Sequence, residues 1–144
     1  MAQLTVDQAM QIAVQHHQAG RLGDAEQLYR QILAQLPGHA GAIYQLGLVA
    51  LQSGRSDIAV DLIGRAVALR PDDADAHGNL GLALKAIGNL NDAIAACSRA
   101  VALRPDFADT TIPILSPAHG IAATSTPASL HTEWRRMCAP LASA

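Results

Sequence analysis

Three primary amides recur at one interval: Gln11, Gln45 and Asn79 lie 34 residues apart. A carboxamide both donates and accepts hydrogen bonds. A row of three along one groove therefore suits an extended peptide backbone, which presents donors and acceptors in alternation. The six histidines are the other candidates for chemistry, as metal ligands. His16 and His17 are adjacent, point about 100° apart on a helix, and cannot chelate one ion together. His39, His77, His119 and His131 show no ligand spacing. There is no GxSxG nucleophile motif. The acidic cluster Asp72, Asp73 and Asp75 suits the start of a helix, where the macrodipole favours negative charge. No catalytic residue, metal site or cofactor is expected; the chemistry that this spacing supports is binding.

Binding of this kind needs a rigid frame, and the composition points to helices. The chain has 144 residues, half of them apolar, yet holds one Trp, two Tyr and one Phe. A core so poor in rings packs by close approach of small side chains. Strands favour β-branched and aromatic residues, so the Ala-rich sequence leans to helix. The net charge is −2 and Lys85 is the single lysine, which argues against a nucleic-acid surface or a polybasic membrane patch. No stretch approaches the roughly 18 apolar residues of a membrane helix, and the N-terminus shows no secretory signal. A soluble, cytoplasmic protein without membrane insertion is expected. Cys97 and Cys138 have no CxxC spacing, and Cys97 is expected to be a core thiol.

The octet RAVALRPD stands at 65–72 and again at 99–106. The same 34-residue shift aligns Pro37, Pro71 and Pro105; Gly20, Gly54 and Gly88; and Ala25, Ala59 and Ala93. Ile12, Leu46 and Leu80 match, each followed by a small residue: Ala13, Gly47 or Gly81. Three units result, 6–39, 40–73 and 74–107, each of two helices. The first helix (6–19, 40–53, 74–87) ends at its glycine, which takes the left-handed conformation. The second (24–36, 57–70, 91–104) ends before its proline, which disfavours helix in the residue preceding it. Asp24, Asp57 and Asn91 are placed to cap the second helices. The small residues let the two backbones approach, while Tyr29, Ile63 and Val101 fill the layers between. A lone helix pair cannot bury both faces, so the units must stack.

These positions resemble the tetratricopeptide repeat over residues 6–107. The pattern departs from that family where a bulky aromatic is usual on the first helix: Ala9, Ile43 and His77 stand there. The resemblance implies an all-α, right-handed α-solenoid whose first helices line a concave groove and whose second helices form the back. Gln11, Gln45 and Asn79 then face the groove, as the asparagine ladder does in O-linked N-acetylglucosamine transferases. Val14, Leu48 and Leu82 lie beside them, followed by His17, Leu51 and Lys85, with Tyr44 next to Gln45. A carboxylate clamp would rest on Lys85 and Asn79 alone and is disfavoured. The implied partner is a protein or peptide.

The pattern breaks after Phe107. Pro113 and Pro117 forbid the helix due there, so 108–126 reads as a Ser/Thr/Pro/Ala-rich linker. Leu130, Trp134 and Met137 share a stripe at helical spacing, and 127–138 is expected to form a helix capping the last repeat. Two further readings stay open. One is a truncated or frame-shifted substrate-recruiting region of a glycosyltransferase; the other is a scaffold that self-assembles through its solenoid ends.

Overall fold

The computed structural model describes residues 4–104. These form six helices in three antiparallel pairs: α1 (Val6–Gln18) with α2 (Leu22–Gln35), α3 (Ala40–Gln52) with α4 (Ser56–Leu69), and α5 (Ala74–Ala86) with α6 (Leu90–Leu103). Each pair also packs on the next, α2 on α3 and α4 on α5, giving an all-α helical repeat stack. The linker 108–126, the capping helix 127–138 and Cys138 lie outside the described residues.

Glycine sets the turn inside each pair. Gly20, Gly54 and Gly88 have φ of 80°, 78° and 84°. With that left-handed residue in place, the next amide reaches back to the helix: Arg21 N to His16 O, Arg55 N to Ala50 O and Asn89 N to Leu84 O, at 2.8–2.9 Å. This satisfies carbonyls that the helix end would leave open. The turn is so short that the second helices begin at Leu22, Ser56 and Leu90, one or two residues before the expected starts. Asp24 and Asp57 consequently sit inside the first turn rather than at the cap, and Asn89, not Asn91, caps α6 by accepting from Asp92 N. The first helices are capped by side chains: Thr5 through a capping box with Gln8, His39 through Nδ1, and Asp73. Asp73 thereby accounts for part of the acidic cluster. Asp75 accounts for another part, pairing with Arg104 at 2.8 Å.

The small residues lie in the core: Ala13, Gly47 and Gly81 are buried, and Ala25, Ala59 and Ala93 are fully buried. The close approach at Gly47 is to Ile63 and Leu62 of α4. A Cβ placed on Gly47 would lie 2.6 Å from Ile63 Cγ1. Tyr29 and Ile63 fill the layers and are wholly inaccessible to solvent. At the departing aromatic position, Ile43 is buried, and His77 donates from Nε2 to the Pro71 carbonyl at 2.8 Å. Cys97 differs from expectation: it is fully buried but disulfide-bonded rather than a free thiol. Core position and packing were readable for this residue; its spacing carried no sign of its bonding.

Candidate partner-binding groove

α1 packs on α3 and α3 on α5, so the first helices of successive units touch directly. The tetratricopeptide resemblance puts the expected inner face on these first helices. The candidate residues sit on these helices, but their accessibility changes along the stack. Gln11 is exposed, Gln45 is half-buried and Asn79 is fully buried. Val14 is half-buried, whereas Leu48 and Leu82 are 4% exposed and share one core cluster. Gln11 and Val14 come together with Met10 and Gln15 around an open cavity of about 520 Å³. Tyr44 and Lys85 are half-buried.

Asn79 has a specific partner. Its Nδ2 donates to Tyr44 Oη at 2.7 Å, across the α3–α5 contact. Its Oδ1 is buried without a hydrogen-bond partner among the described residues. One level down, His17 Nε2 donates to Gln52 Oε1 at 3.0 Å across the α1–α3 contact, with the His17 ring edge-on to Tyr29. His17 is 2% exposed, so it belongs to the interface between units rather than to the groove surface. Both bonds join residues 35 apart, one more than the repeat period. Searching the sequence for polar pairs at 35, rather than for like residues at 34, is the signal that would have found them. The remaining described histidines are engaged locally: His16 Nδ1 accepts from Arg21 Nε, and His39 caps α3.

Two electrostatic features follow from this packing. On the back, Glu26 receives both Arg30 (2.8 Å) and Arg55 (3.0 Å). Hydrogen bonds from Arg55 and then Arg30 hold its carboxyl below the usual carboxylate range. Inside, burial pushes the Tyr44 hydroxyl well above the ordinary phenol value, with Asp73 and Asp75 adding to the rise; burial alone does the same to Tyr29. A raised value means the folded state keeps a proton that the unfolded chain releases above pH about 10. The stabilisation is thus complete below that pH and is lost as pH rises. Unfolding free energy is expected to fall by about 1.4 kcal/mol per pH unit per tyrosine above pH about 10. Denaturant titrations at pH 9 and 11 check this, and Tyr44→Phe should remove one tyrosine's share of the slope.

The helix pairing, the glycine turns and the small-residue contacts recur with the 34-residue period, and the sequence matches accordingly. Two family models described as tetratricopeptide repeat cover residues 44–106 and 16–66. The chain belongs to the tetratricopeptide-repeat family. Among solved structures, MamA superposes at a TM-score of 0.71 with 21% identity, covering 96% of this chain and 79% of its own. MamA from Desulfovibrio magneticus RS-1 gives 0.71 and 21%, covering 96% and 75%. These two likenesses speak for the repeat fold. An O-GlcNAc transferase mutant from Thermobaculum terrenum gives 0.71 with 28% identity over 94% of this chain. This chain corresponds to 27% of that transferase. No curated protein sequence matches significantly. Among the described residues, no helix is long and apolar enough to cross a membrane.

Proposed function

We propose that the chain is a protein-interaction scaffold, without catalysis of its own, that takes an extended peptide or partner helix along the inner face of units 6–39 and 40–73. The observation that carries this reading is the open hollow at Met10, Gln11, Val14 and Gln15 of α1, with Gln45 and Tyr44 half-buried on α3, the next first helix. Apolar side chains beside accessible amides offer a peptide both burial and backbone hydrogen bonds. The groove that a ligand can enter is accordingly that of the first two units; Asn79 and Leu82 stabilise the third from within.

The test uses peptides selected from a displayed random library against the full chain. Gln11→Ala with Gln45→Ala is expected to weaken the selected peptides by about tenfold, at roughly 1 kcal/mol for each of one or two hydrogen bonds lost. An exposed back-face variant, Arg65→Ala, is expected to leave affinity unchanged. Equal binding by the double variant and the wild type would remove the amides from the site.

The likeness to an O-GlcNAc transferase supports a second reading, in which these repeats recruit substrates for a glycosyltransferase domain. A reading frame for a nucleotide-sugar domain continuous with the repeats would carry it. The cytoplasmic placement is also open to test. Disulfides persist mainly in oxidising compartments, so the redox state of Cys97, trapped by alkylation in rapidly quenched cells, decides between a reducing and an oxidising location.

A further inference from the structure

The back of the stack has two grooves between second helices, and they differ. Beside the first, Glu26 joins Arg30 and Arg55, and Leu62 is buried. Thirty-four residues on, the positions of Glu26, Arg30, Asp61 and Leu62 hold Val60, Gly64, Ala95 and Ala96. Each replacement removes charge, volume or both. What remains between α4 and α6 is an open apolar trough of about 420 Å³, floored by Leu80 and Leu84 of α5. A Cβ on Gly64 would meet nothing within 4 Å.

The α6 edge of this trough carries Asp92, Ala95, Ala96 and Arg99. Asp92 and Arg99 are seven residues apart, two helical turns or about 10 Å, too far to pair with each other. Ala95 and Ala96 stand midway between them. Reversed end for end, this stripe is its own complement: an antiparallel α6 sets Arg99 of one copy against Asp92 of the other, twice, about a twofold axis at the alanines. The adjoining outer face is also suited to close approach. Ala95 and Ala102 are exposed there, and Ser98 Oγ already donates to the Ile94 carbonyl at 2.9 Å. Such a helix face brings little unmet polarity and little bulk to the backbone at Gly64.

We propose that α6 and the trough beside it form a twofold, antiparallel interface between two copies of this chain. The interface is isologous, so each charge contact occurs twice. It lies on the back of the stack and leaves the inner face free.

Sedimentation equilibrium of the full chain tests it. The wild type is expected to dimerise, more weakly at high salt because the ion pairs are screened. Asp92→Arg and Arg99→Asp each oppose like charges at both contacts and should each weaken the dimer by about tenfold or more. The first variant carries positive charge at both ends of the stripe, and the second carries negative charge at both ends. Mixed in equal amounts, the two should therefore recover the dimer as a heterodimer. Gly64→Leu projects into the trough from a Cβ with open space around it; it should keep the wild-type circular dichroism and melt no lower than the wild type while losing the dimer. A wild type that stays monomeric at about 1 mM, beyond weak specific association, overturns the proposal. So does a dimer that survives both charge variants, or a mixture that fails to associate.

Discussion

Gly47→Ala is expected to destabilise the protein by about 1–3 kcal/mol, although alanine is the better helix former by about 1 kcal/mol. The cause is local. The added methyl lies 2.6 Å from Ile63 Cγ1 and 3.3 Å from both the Ile63 backbone nitrogen and Leu62 Cβ. Ile63 is fully buried and cannot swing aside, because a β-branched residue in a helix holds one main rotamer. The α3 and α4 backbones must therefore part. Ile63→Ala alone is expected to cost about 2–5 kcal/mol by leaving a cavity. In the double variant the new methyl occupies part of that cavity, so the combined loss should fall short of the sum by about 0.5–3 kcal/mol. Urea denaturation of the four proteins measures the coupling, and strict additivity would mean that the two residues do not touch. Gly64→Ala is the control: with open space around its Cβ, it should stabilise by about 0.5–1 kcal/mol.

Features of this kind were legible in the sequence because they are hard steric requirements met separately in each unit. Gly20, Gly54 and Gly88 answer to a left-handed turn, and Ala13, Gly47 and Gly81 to a close helix contact. Neither demand depends on which unit comes next. Helix starts were less legible because a three-residue turn leaves several polar residues near the same amides: Asn89, Asn91 and Asp92 all lie at the α6 terminus. The candidate site was legible only in part. Aligning Gln11, Gln45 and Asn79 treats three units as equivalent, yet their neighbours are not. Gln11 is exposed on α1, while Asn79 has Tyr44 at hydrogen-bond distance from the unit before it. His17 was assigned to the groove for the same reason, and its contact with Gln52 takes it out. For Cys97, spacing identified a buried position and could not identify a disulfide.

Asn79→Asp is expected to cost about 3–5 kcal/mol at pH 7, the loss typical of an uncompensated buried charge. Asn79 is fully buried, and Asp73 and Asp75 act on the Tyr44 hydroxyl to which it donates, so a carboxylate there gains no cation. Burial and these acids would raise the new carboxyl above its unfolded value of about 3.9. The sign then follows: below pH about 4 the carboxyl is protonated in both states and the charge penalty vanishes, and it grows as the pH rises. Denaturation at pH 4, 5.5 and 7 should show the variant closest to the wild type at the acid end and furthest at neutrality. Tyr44→Phe probes the other side of the bond, leaving Nδ2 buried and unpaired at about 1–3 kcal/mol. Loss in both variants makes the third amide part of the architecture, and a binding site drawn through Gln11 and Gln45 must end at the second unit. A pH-independent Asn79→Asp variant as stable as the wild type would instead put solvent at residue 79 and extend the groove across all three repeats.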